Sequence, residues 1–171
     1  MLNSTKLIKF LREKNYNFTV HEHSPLFTVQ DSKNLRGKIK GAHTKNLFLK
    51  NKKNDFFLIT CEENDKLNLK QVAKSLSLGN ISFAKEEYLD SYLGIKPGSV
   101  SPLALLNDIK NVVSFYLEKS LYDSDFVNFH PLLNTLTITM KTNDFIEFMI
   151  ENNKKIHIFS LAQGNVLKTY E

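Results

Sequence analysis

The chain is poor in cysteine, glycine and proline, and these shortages exclude whole classes of protein. Its 171 residues include a single cysteine, Cys61, so an internal disulfide is impossible and a disulfide-stapled secreted domain is excluded. Six glycines and four prolines leave no low-complexity linker along the chain. A lone thiol fits a reducing compartment, and we therefore expect a cytoplasmic protein.

Long hydrophobic runs are absent as well. No apolar run approaches the roughly 18 residues that a membrane helix requires, and residues 1–15 show neither a hydrophobic signal core nor a small-residue cleavage site. We therefore expect no signal peptide and no membrane partner. The hydrophobic fraction of 42% is nevertheless that of a globular protein, and residues 1–171 suit one domain with a sizeable core.

Motifs of several enzyme classes are also missing. The sequence contains no nucleophile elbow, no glycine-rich phosphate loop and no Cys or His cluster with metal-ligand spacing. His21 and His23 fall on one face of a predicted strand, but no third ligand is evident. We therefore predict no metal and no cofactor. Cys61 ends an apolar strand and is predicted to be a small buried side chain.

Hydrophobic patterns of helical and strand period interleave along the chain, which indicates a single mixed α/β domain with a partly antiparallel sheet. The polar tetrad 51–54 between two apolar runs predicts a hairpin. Ser4 and Thr142 are predicted helix N-caps. Apolar segments 103–106 and 111–117 are predicted to pair across Asn107-Asp108. Further helices are predicted over 28–35, 67–76 and 85–94, and further strands over 17–20, 45–49, 55–60, 81–83, 135–140 and 156–159.

The most restricted loop lies within residues 96–108, KPGSVSPLALLND. Pro97-Gly98 suits the centre of a type II turn, because proline fixes φ and glycine adopts positive φ. Ser99 and Val100 are then expected to carry free backbone N–H groups. Such a loop either aims its amides at a carbonyl oxygen or oxyanion, or is an ordinary turn before a strand.

Two further positions are candidates for substrate contacts. Lys45 stands at the head of an apolar strand, where a lysine reaches a phosphate or is simply solvated. His130 precedes Pro131, and a histidine at a rigid bend either orients water or a hydroxyl near neutral pH or is a packed or capping side chain. The residue chemistry alone leaves these alternatives open.

Five blocks follow one another in the chain: HEHSPLFTV, HTKNLFLK, LKQVAKSL, SFAKEEYLDSYLGIKPGSVSPLALLND and NFHPLLNT. In this order they resemble the free-standing prolyl-tRNA editing-domain proteins of the YbaK/ProX type, from about His21 to Phe159. The resemblance implies one α/β editing domain over residues 1–171, with a mixed, largely antiparallel sheet and surrounding helices.

The same resemblance implies a trans-editing hydrolase that cleaves the aminoacyl ester of mischarged tRNA and keeps translation accurate. The LGIKPGSVSPLALLND form is similar to the ProX branch, which clears alanine from proline tRNA. The implied partners are the 3′ CCA end of mischarged tRNA-Pro and, as a further candidate, prolyl-tRNA synthetase; the net charge of +5 permits RNA binding. Three alternatives remain: a Cys-tRNA(Pro) deacylase, a non-catalytic binding or regulatory protein, and a domain that docks a synthetase.

The resemblance also implies the site. The predicted catalytic residues are Lys45, which grips a phosphate or ribose, His130, which orients the water or ribose, and the loop residues Gly98, Ser99 and Val100. The predicted substrate-binding residues are Thr28, Asn46, Ser101, Pro102 and Asn134. The amides of the loop and the ammonium group of Lys45 are expected to face each other across one cleft.

Overall fold

A mixed β-sheet organises the chain in the computed structural model, which describes residues 1–25 and 39–171. The strands are β1 (Phe18–Glu22), β2 (Ala42–Asn51), β3 (Phe56–Glu62), β4 (Ile81–Phe83), β5 (Val113–Glu118), β6 (Phe126–Phe129), β7 (Leu136–Lys141), β8 (Ile156–Ser160) and β9 (Asn165–Tyr170). Across the sheet they follow the order β1-β7-β6-β2-β3-β5-β8-β9, and β4 pairs with β2. The β2–β6, β3–β5 and β5–β8 pairs are parallel and the other described pairs are antiparallel. The predicted mixed α/β class is confirmed.

Helices pack on both faces of this sheet. The longer ones are α1 (Ser4–Glu13), α2 (Leu69–Ser75) and α3 (Thr142–Glu151). Shorter helical segments are Glu86–Tyr88, which continues into a π-helix over Leu89–Leu93, the 3-10 helix Pro102–Asn107, and Lys119–Tyr122. The helix predicted over 28–35 lies outside the described residues.

Both predicted N-caps are displaced by one residue. Ser4 is the first residue of α1, and the cap is Asn3, whose Oδ1 accepts a hydrogen bond from the Lys6 amide at 3.0 Å. Thr142 is likewise the first residue of α3, and its hydroxyl donates to the Ser124 carbonyl and accepts no hydrogen bond from a helix amide. The helices form where the apolar period predicts them, but different side chains begin them.

The hairpin predicted across Asn107-Asp108 is wrong. Its first segment, 103–106, lies in the 3-10 helix, and its second contains the single strand β5. Ser101 starts the helix by accepting a hydrogen bond from Leu103 N at 3.3 Å. A short apolar run reads equally well as a buried helix or a strand, so the pattern alone did not separate them.

Two apolar clusters hold the layers together. The main core, on the face covered by α1, α3, the π-helix and the 3-10 helix, includes Leu11, Leu58, Leu103, Phe129 and Phe145. The second core, on the opposite face, packs α2 against the strands through Leu49, Phe57, Ile59, Val72 and Leu76. Burial of each such side chain stabilises the fold by about 1.5–3 kcal/mol.

Glycine is required at the point where the chain enters β2. Gly41 has a φ of +96°, and a Cβ built there would lie 2.8 Å from both the Cβ and the carbonyl oxygen of Phe126. The backbone just before β2 therefore packs closely against Phe126, the first residue of β6. Gly79 also has positive φ, at +76°, but nothing lies within 4 Å of the position of its missing Cβ.

Substitutions of Gly41 and Gly79 together measure how much the close contact between Gly41 and Phe126 contributes to stability. We expect Gly79→Ala to lower the free energy of unfolding by about 1–2 kcal/mol through backbone strain. Gly41→Ala should cost about 1–3 kcal/mol more, because the added methyl meets the Phe126 backbone. Urea denaturation of the two variants measures the difference. Equal losses would show that β2 and β6 are not held by this contact.

Candidate functional site

One face of the sheet is polar where β1, β7 and β6 lie side by side. His21 Nε2 lies 3.0 Å from Thr139 Oγ1, and His23 Nε2 lies 2.9 Å from Thr137 Oγ1. Thr139 in turn donates to Asn128 Oδ1 at 2.5 Å. These side chains alternate with main-core residues, so they point away from that core. We call His21, His23, Asn128, His130, Thr137 and Thr139 the polar face.

Lys45 stands at the border between the polar face and the second core. It pairs with Cys61 across β2 and β3, and Leu47 and Leu49, on the same side of β2, pack in the second core. Its Nζ donates to the Asp65 carbonyl and lies 3.5 Å from the Glu63 carbonyl. An ammonium group has three donors, so within the described part of the chain one remains for a substrate oxygen.

His130 follows the last residue of β6, and its ring has a defined orientation. Nδ1 lies 2.8 Å from the Leu136 carbonyl oxygen, which can only accept, so Nδ1 carries the proton. Burial lowers the pKa of His130 below its usual 6.5, and His23 lowers it further, while the Leu136 carbonyl and Glu63 act in the opposite direction. The ring is therefore neutral at pH 7, and Nε2 is left as an acceptor.

The structure brings Lys45 and His130 together on one side of the sheet. The parallel register ends with the pair His43–Asn128, and Lys45 and His130 each follow two residues later along the chain, beyond that last pair. Both also lie near Glu63, whose carbonyl faces Lys45 and whose charge acts on the pKa of His130. A free N–H and a free ring nitrogen thus share one neighbourhood. His23, whose ring centroid lies 6.0 Å from that of His130, belongs to it too.

The pairing along one edge of β2 is interrupted at this neighbourhood. On that edge, residues 42–43 pair with β6 and residues 49–51 pair with β4, while residues 44–47 have no strand partner within 1–25 and 39–171. The His43 carbonyl points to β3, where it accepts from Glu63 N, and the Phe48 carbonyl points to this edge, where it accepts from Ala84 N. By alternation, the N–H and C=O of Asn46 also point into the interruption, which we call the β2 gap.

The side chain of Asn46 lies on the face opposite to that of Lys45. Its Oδ1 accepts from Thr60 Oγ1 at 2.7 Å, and both residues are on the main-core side. Lys45 and Asn46, both predicted site residues, therefore reach opposite sides of the sheet from one peptide link. The peptide link between them lies in the β2 gap.

The predicted type II turn is present around Gly98, which has a φ of +85°. Ser99 N donates to the Lys96 carbonyl at 3.1 Å, so the expectation of a free Ser99 amide is wrong: that N–H closes the turn itself. Among the described residues, the amides of Gly98, Val100 and Ser101 have no hydrogen-bond partner. The loop can therefore donate the N–H groups of Gly98, Val100 and Ser101, whereas the prediction named those of Ser99 and Val100.

The turn and Lys45 are not joined by any contact of the described residues. Val100 packs against the main core, and Ser101 and Pro102 are buried at the start of the 3-10 helix. The loop is therefore on the side of Asn46, and Lys45 is on the side of His130. The single cleft expected between ammonium group and amides stays a prediction, and the β2 gap is the place where it can form.

The remaining predicted positions are less informative. Asn134 is half-buried in the turn closed by Leu136 N and the Leu133 carbonyl. Thr28 lies outside the described residues. Cys61 is fully buried, as predicted, and burial raises the pKa of its thiol to about 12, which removes it as a nucleophile at neutral pH.

Sequence reasoning missed two contributors. His23 was noted for its spacing to His21, but its position beside His130 depends on the β1–β7 register. The second is the segment after β3, which supplies carbonyl acceptors to Lys45. Within the described ranges, no three His, Cys, Asp or Glu side chains are placed to hold a metal ion. No described helix is long and apolar enough to cross a bilayer.

Comparison with known proteins gives a consistent result. The family model of the aminoacyl-tRNA editing domain matches residues 23–148. The prolyl-tRNA synthetase associated domain-containing protein 1 of Bos taurus is 36% identical over 135 residues, which cover 76% of this chain and 78% of that protein. The prolyl-tRNA editing protein ProX of Acetoanaerobium sticklandii is 29% identical over 166 residues, which cover 96% of this chain and 94% of that protein.

The fold is shared with solved structures. A crystal structure described as a candidate trans-editing enzyme for prolyl-tRNA synthetase matches with a TM-score of 0.67 and 15% identity. The match covers 98% of this chain and 99% of the other. At that identity the likeness shows the arrangement of strands and helices alone.

The state of His130 can be measured directly. We expect a nitrogen-detected NMR titration to show the proton on Nδ1 at neutral pH and a pKa below 6.5, because burial penalises the charged ring. His157, whose pKa is also lowered by burial, serves as an internal comparison. A proton on Nε2, or a pKa above 6.5, would contradict the geometry of the site.

Proposed function

Because the chain belongs to the aminoacyl-tRNA editing-domain family, we propose that it clears alanine from mischarged proline tRNA in trans. As a member of that family it is an aminoacyl-tRNA deacylase, an ester hydrolase with a tRNA substrate. The choice of alanine and proline tRNA is supported by the ProX relative and by the form of the loop at residues 93–108. We extend the proposal to residues 1–171 as one editing domain.

The need for such an enzyme follows from the limits of binding selectivity. A synthetase site built for proline cannot strongly reject the smaller alanine, because the missing apolar contacts are worth about 1–3 kcal/mol. A second site that admits alanine and excludes proline by size removes the error. Since the mischarged tRNA arises during translation and the chain has a single thiol, the proposed reaction fits the reducing cytoplasm.

The reaction itself needs little from the protein. An aminoacyl ester is already activated, so water positioned beside its carbonyl carbon is a sufficient nucleophile. In the proposed mechanism, His130 accepts a hydrogen bond from this water or from the neighbouring ribose hydroxyl through Nε2. The remaining Lys45 N–H donates to a ribose or phosphate oxygen of the CCA end and holds the terminal nucleotide in place.

Donors for the developing oxyanion come from backbone amides in this proposal. The Asn46 N–H points into the β2 gap, and the amides of Gly98, Val100 and Ser101 have no partner among the described residues. Fixed amides of this kind stabilise negative charge without reorganising during the reaction. Pro102 keeps the loop rigid, and Asn134 and Thr28 are retained as proposed substrate contacts on the strength of the family pattern.

One observation carries the proposal: among the described residues, β2 lacks a strand partner over residues 44–47, near a lysine and a neutral histidine and inside the segment that matches the editing family. An uninterrupted sheet would separate the face of Lys45 from the face of Asn46 and the loop. A catalytic role is favoured over simple binding because His130 is neutral and has a free acceptor. Association with prolyl-tRNA synthetase is a further proposal, supported by the name of the Bos taurus relative.

The assignment of Lys45 is tested by replacing it. We expect Lys45→Ala to lower kcat/KM for deacylation of Ala-tRNA(Pro) about 100-fold or more, because the substrate loses a positioned cation. Lys50→Ala is the matched control, since Lys50 lies on the same strand but contacts Asn54 and Tyr88 instead. A Lys45→Ala variant that folds and turns over at the wild-type rate would remove Lys45 from the mechanism.

The amino-acid preference is tested with a panel of charged tRNAs. Purified protein should hydrolyse Ala-tRNA(Pro) faster than the cysteinyl and seryl esters, and Pro-tRNA(Pro) about 100-fold more slowly, because a pocket sized for alanine excludes the ring. Faster hydrolysis of the cysteinyl ester would favour the Cys-tRNA(Pro) alternative. Tight binding of all four without hydrolysis would favour a non-catalytic binding protein.

A further inference from the structure

A cavity opens on the polar side of the sheet, at the other end from Lys45 and His130. It has a volume of about 590 Å³, and its lining includes His21, Lys40, Phe126, Thr139 and Lys141. The lining combines two ammonium groups, an aromatic ring and hydrogen-bonding side chains. We call it the basic pocket.

The basic side chains of this pocket are arranged around the aromatic ring. Lys40 Nζ lies 4.1 Å from the ring centroid of Phe126, which is within cation–π range. Lys141 pairs with Phe126 across β6 and β7, so both side chains rise from the same side of the sheet. Phe126 is itself held against Gly41, where no Cβ would fit. The ring is therefore held in place, with one cation over it and a second rising beside it.

Neither cation is neutralised within the described part of the chain. The ion pairs found there join other residues, namely Lys9 with Glu13, Lys85 with Glu87, Lys119 with Asp123 and Lys155 with Glu171. Lys40 and Lys141 are both exposed. Unpaired cations beside a half-buried aromatic ring are a combination with which proteins hold single-stranded nucleic acid, because ammonium groups contact phosphates and rings stack on bases.

The polar face connects the basic pocket to the proposed catalytic neighbourhood. His21 and Thr139 belong both to the polar face and to the lining of the pocket, and His23 and Thr137 continue the row toward His130. From Thr137 to Lys141 the strand rises four residues, or about 13 Å. A short single-stranded RNA segment spans such a distance.

We propose that the basic pocket binds the cytidine segment of the tRNA acceptor end, with Lys40 and Lys141 on its phosphates and a base against Phe126. The inference rests on the proposed function, since it assumes that the terminal adenosine and its ester lie at Lys45 and His130. The polar face then guides the strand between the two sites. The pocket supplies affinity and orientation, and the reaction takes place at the β2 gap.

The test measures RNA binding separately from hydrolysis. The probe is a 5′-fluorescein-labelled RNA hairpin with a single-stranded ACCA 3′ end, compared by anisotropy with the same hairpin ending blunt. Wild-type protein should prefer the overhang. The double variant Lys40→Gln/Lys141→Gln should raise Kd for the overhang about tenfold or more and reduce the log–log salt slope by about 0.7 for each lost phosphate contact.

A matched double variant and an aromatic variant sharpen the result. Lys53→Gln/Lys110→Gln removes two exposed lysines away from the pocket and should leave Kd within about twofold of wild type, after the small loss expected from net charge. Phe126→Leu should raise Kd at least about fivefold through lost stacking. Circular dichroism melts verify that each variant is folded.

Three outcomes would overturn the pocket: equal binding of the blunt hairpin, unchanged binding by Lys40→Gln/Lys141→Gln, or an equal loss in the control variant. Deacylation assays keep this separate from the proposed function. Wild-type hydrolysis of Ala-tRNA(Pro) together with any of these outcomes discards the pocket and keeps the enzyme. Overhang binding that depends on Lys40 and Lys141, without hydrolysis of any ester, keeps the pocket and discards the enzyme.

Discussion

The β2 gap is the constraint on which the rest of the site depends. A strand inside a sheet normally has partners along both edges, and β2 has them on its β3 edge throughout. On its other edge, β6 leaves after two residues and β4 begins six residues later. Within the part of the chain that the structure describes, the stretch between them leaves backbone donors and acceptors without a strand partner in the middle of a folded domain. Such groups need partners, and a bound substrate can supply them.

The gap exists because two short strands are held in place by contacts elsewhere. β6 is fixed to β2 by the close approach of Gly41 to Phe126, and it ends where Pro131 follows His130. β4 has three residues and ends at Phe83, before the turn into the segment Glu86–Tyr88. Neither strand can extend to close the gap. A region of weaker pairing is therefore surrounded by a rigid and well-packed sheet.

The two faces of the sheet differ in chemistry: one is apolar and the other is polar. The main core is dry and continuous beneath α1 and α3, whereas the polar face carries histidines, threonines and an asparagine bonded to one another. This network fixes the tautomers that its members can adopt, because each hydroxyl has a defined partner. His130 stands at the end of this face, where burial and the Leu136 carbonyl hold its ring neutral with the proton on Nδ1. The arrangement suits the handling of an ester and a ribose without a covalent nucleophile.

The hydrophobic pattern of the sequence predicted those helices and strands that form from neighbouring residues. The β2–β3 hairpin follows from two apolar runs around a polar tetrad, and β7 follows from its alternating β-branched residues. The segment 103–106 was assigned wrongly because four apolar residues fit a strand as well as a buried 3-10 helix. β6 was missed because it has only four residues, and β9 was missed because its side chains are almost all exposed and show no apolar alternation. Ser99 was expected to offer an amide that the turn uses itself.

The sequence by itself determined the class of fold, the type II turn around Gly98, the burial of Cys61 and, through the order of its five blocks, the family. These depend on composition, neighbouring residues and motif order, all of which can be seen in the linear sequence. Tertiary structure decided that Lys45 and His130 both lie near Glu63, that His23 lies beside His130 and that, within residues 1–25 and 39–171, β2 has no strand partner between β6 and β4. Those facts depend on strand register and on pairing between distant segments, and no local pattern of residues encodes either.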